Sequence, residues 1–186
     1  MNNDLDLSES EREIAAAGLA KLLAETFTLY AKTHGYYWNV EGPMFRTYHL
    51  LFEEQYRELW AAVDKIAERI RALGAYAPSA PADIAALSDV APDQTVPNPA
   101  DMVRSLIADH ERVIRTMRCI RPAIDDIGDN ASASLLDDRL TAHEKAVWMV
   151  RSLARDVGEG SLRAEPIGEH FAKRLANFEM PKASRT

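Results

Sequence analysis

The sequence predicts an all-α protein, a four-helix bundle with a long crossover between the second and third helices. Apolar residues recur at three- and four-residue steps through four segments, which is the helical period. The chain has 8 glycines and 9 prolines in 186 residues, and most of the prolines fall between the second and third segments. No segment shows the apolar–polar alternation of a strand.

The first two helices have clear start and stop signals. The first begins after Ser8 or Ser10, which are good N-cap residues, and runs to about Trp38. The second runs from about Phe45 to Leu73 and stops at Gly74, a natural C-terminal cap. We therefore expect residues 1–8 to be an N-terminal tail.

The remaining helices follow a long connection. Residues 75–99 form a loop in which Asp83–Leu87 could be a short helix. The third helix runs from about Ala100 to Arg121, with or without a kinked continuation past Pro122, and the fourth from about Ala131 to Arg155. Two short turns and one long crossover are typical of one class of four-helix bundle. The bundle is expected to span residues 9–156, with residues 157–186 as a C-terminal tail.

Composition excludes several classes of protein. The net charge of −7 does not favour a general grip on nucleic acid. Cys119 is the single cysteine, which excludes an intrachain disulfide and a CxxC motif. The N-terminus is acidic without an apolar signal region, and no run approaches about 18 apolar residues. These features predict a soluble cytoplasmic protein without a membrane partner.

The densest group of possible metal ligands lies on the second helix. His49 and Glu53 are four residues apart and share a helix face, as do Asp64 and Glu68. Imidazole with carboxylates suits Fe, Mn or Zn. The alternative is a solvated face in which the carboxylates pair with basic neighbours.

The spacing between the two pairs favours a site shared by two chains. His49 and Asp64 are fifteen residues apart, which is about 22 Å along a helix, so they cannot share one metal ion within a chain. Two copies of the helix that cross antiparallel near residues 58–59 would bring each first pair to the partner's second pair. The chain contains no Glu-x-x-His motif, which disfavours a di-iron centre inside one bundle.

Residues 32–74 resemble the signature segment of the Dps proteins, the ferritin-like mini-ferritins of bacteria. A second match is the HEKAVW segment at 143–148, and the resemblance covers roughly residues 10–156. The matching positions in the signature segment are Trp38, Asn39, Gly42, Phe45, His49, Asp64, Ala67, Glu68, Arg69 and Ile70.

The resemblance implies a ferritin-like fold, a homo-dodecameric shell and a ferroxidase. Such a shell oxidises Fe(II), with hydrogen peroxide or dioxygen, stores the ferric product and protects DNA from oxidative damage. The iron centre, occupied by Fe(II) and then Fe(III), would lie between two subunits. His49 and Glu53 would come from one subunit, and Asp64 and Glu68 from the other, with Glu68 as the bridging carboxylate.

Tyr37 departs from the family pattern, which has a histidine directly before Trp38. Three alternatives stay open. Tyr37 is a hydrogen-bonding neighbour of a weaker, less active site, or it binds Fe(III) as a phenolate, or His34 reaches the same metal ion from one helical turn earlier. The resemblance also implies that Trp38 supplies electrons next to the site, the alternative being a bulky packing residue.

The resemblance further implies acidic pores that admit Fe(II), for which Asp129, Asp137 and Asp138 are candidates. Contact with DNA in this family usually depends on a basic tail. The N-terminal tail is acidic, whereas residues 173–186 carry four basic residues against one acidic residue. The candidate DNA contacts, which would associate the protein with the nucleoid, are Lys173, Arg174, Lys182 and Arg185.

The leading hypothesis is therefore a ferroxidase and iron-storage shell. The second hypothesis is a similar shell with an impaired centre, which acts by DNA binding or passive storage. A third option is a helical interaction module without a metal ion.

Overall fold

The computed structural model describes residues 6–154, which form five helices. The helices are α1 (Glu9–Asn39), α2 (Phe45–Ala72), α3 (Pro81–Leu87), α4 (Pro99–Asp126) and α5 (Asn130–Ala154). The predicted all-α bundle with a long crossover is confirmed, because four long helices are present and the 72–99 connection carries only the short α3. The predicted tails lie almost wholly outside the described residues.

The helix ends follow the local signals of the sequence. At the start of α1, the Ser8 Oγ accepts a hydrogen bond from the Glu11 N–H, and the Ser8 N–H donates to the Glu11 carboxylate at 2.7 Å. After α2, Gly74 has a φ of +92°, a left-handed conformation that glycine adopts without strain. The helix α4 continues through Pro122 to Asp126, five residues beyond Arg121.

The helices pack as two antiparallel pairs, α1 with α2 and α4 with α5. The pairs meet mainly where α1 lies against α4, and Gly18 permits this close approach. A Cβ at position 18 would stand 2.8 Å from Cγ2 of Ile120, so a larger residue would force the two helices apart. The fully buried core side chains include Leu19, Leu22, Leu29, Phe52, Leu59, Ile66, Leu106, Met117 and Leu136.

The crossover is held to the bundle by a buried lysine. The Lys32 ammonium lies 2.8 Å from the Asp109 carboxylate on α4 and 3.4 Å from that of Asp93 in the crossover. The Tyr36 hydroxyl donates to Asp93 as well. These contacts join α1, α4 and the crossover, so the long connection is fixed on the outside of the bundle.

The helix α1 is apolar enough, by length and composition alone, to cross a membrane. Half of its most apolar window is buried inside the bundle. Leu19, Leu22 and Leu29 are among its fully buried residues, which is the pattern of a core helix.

Candidate metal centre

The helix α2 presents all four candidate ligands on one face. At 100° per residue, His49, Glu53, Asp64 and Glu68 fall within an arc of about 100°. His49 and Glu53 are half-buried, and Asp64 and Glu68 are exposed. The face is therefore open to a partner along its whole length.

The same face carries exposed apolar side chains, one within the first candidate pair and one between the two pairs. Leu50 is 45% exposed and Trp60 is 50% exposed. Large apolar residues beside open ligand positions are typical of a surface that another protein covers. Trp60 and Trp148 are both at least half-exposed, so neither lies in the core of one chain.

The imidazole of His49 is oriented by a hydrogen bond to the backbone. Its Nδ1 lies 2.9 Å from the backbone oxygen of Tyr37. Because a carbonyl only accepts hydrogen bonds, the neutral imidazole carries its proton on Nδ1 and leaves the lone pair on Nε2. This is the arrangement by which protein imidazoles are oriented for a metal ion.

Glu53 is engaged by a neighbour on the same helix. The Arg57 guanidinium donates two hydrogen bonds to Glu53 Oε1, at 2.7 and 3.1 Å, and this contact raises the pKa of Arg57. The alternative of a solvated, ion-paired face is thus seen for this carboxylate. In the described part of the chain, Asp64 and Glu68 form neither an ion pair nor a hydrogen bond through their side chains.

Tyr37 and His34 take different positions in an aromatic cluster beside the site. The Tyr37 ring stacks on His49 with centroids 3.9 Å apart. The His34 ring stacks on Tyr56 at 4.0 Å, and its Nδ1 lies 3.2 Å from the Tyr30 hydroxyl oxygen. Tyr37 is therefore the ring in contact with the candidate ligand His49. The His34 ring lies behind it, with its centroid 6.0 Å from that of Tyr37.

Trp38 lies at the edge of this cluster. Its ring centroid is 4.2 Å from that of His34, and its side chain is 65% exposed. One residue of the cluster, Tyr56, and one atom, the Tyr37 backbone oxygen, are not among the candidates named from the sequence. Tyr56 follows Glu53 by three residues and so has a helical signal, whereas a backbone acceptor has none.

Within residues 6–154 of one chain, no three His, Cys, Asp or Glu side chains come together as a metal site. The two ligand pairs stand at opposite ends of α2. One imidazole and one carboxylate stand toward the first end, and two carboxylates stand toward the second.

The three candidate pore residues have different surroundings. Asp129 is buried, its carboxylate lies 2.6 Å from the Arg69 guanidinium, and it accepts a hydrogen bond from the Ser132 N–H. Burial alone raises the pKa of Asp129, but the hydrogen bonds from Arg69 and Ser132 outweigh it and hold the pKa below its ordinary value.

Asp129 is therefore the N-cap of α5, and its carboxylate is turned away from solvent. Asp137 and Asp138 are exposed, and Asp137 pairs with Arg121. The candidate DNA contacts at 173–185 lie outside the described residues.

Comparison with known proteins gives a consistent result. Residues 16–158 match the family described as a ferritin-like domain. The chain is 36% identical over 153 residues to an uncharacterized low temperature-induced protein of Nostoc, covering 80% of this chain and 84% of the relative. It is 34% identical over 151 residues to DNA protection during starvation protein 1 of Deinococcus radiodurans, covering 81% and 73%.

Solved structures agree with the sequence relatives. The Dps protein of Vibrio cholerae, described as a member of a superfamily of ferritin-like diiron-carboxylate proteins, superposes with a TM-score of 0.77 at 27% identity. The match covers 82% of this chain and 97% of that one.

Proposed function

Because this chain belongs to the ferritin-like family, and within it to the Dps proteins, we propose that it is a ferroxidase and iron-storage shell. Fe(II) would be oxidised at sites shared between two subunits, and the ferric product would be stored inside a homo-dodecamer. The observation that carries this proposal is the open α2 face, on which two incomplete ligand pairs stand about 22 Å apart.

The antiparallel crossing of two α2 helices would complete both half-sites at once. With the crossing near residues 58–59, the His49 and Glu53 pair of one subunit would meet the Asp64 and Glu68 pair of the other. Trp60 and Leu50 would be covered in the same contact, and their burial would stabilise it.

The chain's own groups suit the binding of Fe(II) as the substrate. His49 would bind through Nε2, since its Nδ1 is fixed on the Tyr37 carbonyl. Glu53 would exchange its contact with Arg57 for the metal ion, and Glu68 would bridge. Because the Arg57 contact is solvent-exposed, its loss opposes binding only weakly.

The oxidation balances with hydrogen peroxide as the oxidant. Two Fe(II) ions each give up one electron, the O–O bond breaks, and the peroxide oxygens leave as hydroxide or water. Hydrolysis of the two Fe(III) ions to the oxide-hydroxide then releases protons. Because both electrons reach the peroxide from paired iron ions, hydroxyl radical is avoided and DNA is protected without direct contact.

The second candidate function is a shell with an impaired centre, which acts by DNA binding or passive storage. Tyr37 in place of the family's histidine is the observation that favours it. The basic residues at 173–185 would be the DNA contacts.

The Glu68→Gln variant tests the leading proposal. Removal of the bridging carboxylate charge should slow ferric formation at least about tenfold, which is about 1.4 kcal/mol of activation free energy. The measurement is optical, after mixing of anaerobic Fe(II)-loaded protein with hydrogen peroxide. Glu54→Gln is the matched control, because Glu54 is an exposed carboxylate on α2 outside the ligand arc.

The outcomes separate the two candidates. A fast wild type, a slow Glu68→Gln variant and an unchanged Glu54→Gln variant support the ferroxidase. A wild type that sizes as a shell but forms ferric iron no faster than buffer supports the impaired shell. A monomeric wild type contradicts both.

A further inference from the structure

A chain of polar side chains crosses the interior of the bundle, away from the α2 ligand face. It begins at Glu58 on α2, whose carboxylate Oε2 lies 3.0 Å from Nη2 of Arg139 on α5. The same Arg139 Nη2 lies 3.3 Å from His143 Nε2, and His143 Nδ1 lies 2.8 Å from His110 Nδ1 on α4. Arg139, His143 and His110 are 5%, 0% and 2% exposed.

The contacts fix where each imidazole carries its proton. A guanidinium only donates hydrogen bonds, so His143 Nε2 must be the acceptor and the neutral ring carries its proton on Nδ1. That proton is donated to His110 Nδ1, so neutral His110 carries its own proton on Nε2.

The Arg139–His143 and His143–His110 contacts both require neutral rings, and the buried Nε2 of His110 has no hydrogen-bond partner among the described residues. A proton added to His143 Nε2 would face the Arg139 N–H, and a proton added to His110 Nδ1 would face the His143 N–H. Each protonation therefore replaces a hydrogen bond with two opposed donors inside the core, which is unfavourable.

Among the described residues, the carboxylates on the neighbouring helices contact other groups rather than the two imidazoles. On α1, Lys32 is bound to Asp109 of α4, and Glu25 pairs with Lys21 and accepts from Thr116 of α4. On α2, Glu58 is bound to Arg139. Within residues 6–154, no carboxylate forms a hydrogen bond or ion pair with either imidazole.

Burial and charge act in the same direction on both rings. Burial, with a further contribution from Arg139, lowers the pKa of His110 to about 3. The pKa of His143 lies well below its ordinary value, mainly because the ring is buried. Smaller contributions in the same direction come from His110 and Arg139. Both rings therefore stay neutral in the folded chain at pH values where exposed histidines bind protons.

We infer that the Glu58–Arg139–His143–His110 chain is an acid-sensitive lock that ties α5 to α2 and α4 and opens when the buried imidazoles bind protons. Its outer end reaches α2 at residue 58, the level at which two α2 helices would cross. Opening would thus loosen the contacts of α5 with α2 and α4. The inference concerns the bundle itself and does not depend on iron chemistry.

The direction of the pH effect follows from linkage. Above the ordinary histidine pKa of 6.5, folded and unfolded chains are both neutral at these rings, so the lock contributes no pH dependence. As the pH falls below 6.5 toward 3, the unfolded chain binds protons that the folded chain excludes. Each buried ring then raises the unfolding equilibrium constant up to about tenfold per pH unit, and the pair up to about a hundredfold.

The first measurement counts protonated imidazoles in the intact wild-type shell by Raman spectroscopy in D2O, with near-UV circular dichroism as the monitor of packing. The chain has 5 histidines, so while the near-UV signal is native, no more than three should become imidazolium. The remaining two should protonate only as the near-UV signal is lost. Four or five imidazolium rings in a shell with native near-UV signal would overturn the inference.

The second measurement compares the acid transition of His143→Gln with that of His34→Gln. Glutamine keeps an acceptor for Arg139 but does not titrate, so the midpoint should move to lower pH and the transition should become shallower. His34→Gln, which removes a half-buried histidine outside the lock, should leave the midpoint in place. Equal midpoints for the wild type and a folded His143→Gln variant would overturn the inference, and if the variant does not fold, the Raman count decides.

Discussion

Tyr37 touches His49 in two independent ways. Its backbone oxygen accepts the hydrogen bond from His49 Nδ1, and its ring stacks on the imidazole at 3.9 Å. Replacement of the side chain leaves the backbone contact in place. Variants at this position therefore change the surroundings of the candidate centre without releasing the ring of its first ligand.

The Tyr37→His variant should oxidise Fe(II) faster, by about tenfold, because it adds an imidazole ligand of the kind that suits iron. The measurement is the rate and stoichiometry of ferric formation with hydrogen peroxide. Tyr37→Phe is the matched control, since it keeps the ring and removes only the hydroxyl. No change in rate or stoichiometry for Tyr37→His would show that Tyr37 does not weaken the site, and loss of a phenolate–Fe(III) absorption band in Tyr37→Phe would instead identify Tyr37 as a ligand.

At the scale of the helices, Asp129 joins two elements. It caps the N-terminus of α5 through the Ser132 N–H and pairs with Arg69 near the end of α2. This second contact fixes the end of the helix that carries Asp64 and Glu68. The cap thus contributes to stability and to the position of half of the candidate centre.

Asp129→Ala should lower the free energy of unfolding by about 2 kcal/mol, because it removes the cap and leaves a half-buried guanidinium without its partner. Asp129→Asn retains the cap and loses only the charge, so it should be less destabilised. Because the pKa of Asp129 lies below its ordinary value of 3.8, this contribution is present above that pH and is lost as the pH falls below it. Equal unfolding midpoints in urea for the Ala variant and the wild type at neutral pH would contradict this role.

Local signals explain why the helix ends could be predicted from the sequence. Ser8 and Gly74 act on neighbours within a few residues, and each stands where a cap is required. The distance between the two candidate ligand pairs on α2 could also be predicted, because a single helix determines how far apart its residues lie.

Contacts between distant segments could not be predicted in this way. The approach of Ile120 to Gly18 depends on how α1 meets α4, and the His110–His143 pair depends on how α4 meets α5. Asp129 is a pore candidate by resemblance to the family, but the fold turns it inward against Arg69. Residue type and sequence position do not specify such pairings, because they arise only when the helices pack.

At the scale of the whole molecule, iron must reach the interior of the proposed shell. Asp137 and Asp138 are the exposed carboxylates left for this role, and Asp137 is held by Arg121. A double Asn variant should slow iron uptake several-fold while ferric formation at the α2 centre, once iron is bound, stays unchanged. Unchanged uptake kinetics would remove both residues from the path.

The central claim is that each oxidation site is built from two chains, and shells of mixed subunits test it most directly. Glu53→Gln and Glu68→Gln subunits would be co-expressed with different tags, and shells containing both would be purified. Each single-variant shell should form ferric iron at least about tenfold more slowly than the wild type. A dimer of one subunit of each kind has one site with both defects and one site with all four native ligands.

With random pairing, half of the dimers are mixed, and one of the two sites in each mixed dimer is native. About a quarter of all sites are therefore native, and we expect about a quarter of the wild-type rate. The rate is measured as ferric formation after addition of hydrogen peroxide. If each site were built within a single chain, every site would carry a defect. Mixed shells no more active than the single-variant shells would therefore contradict the account.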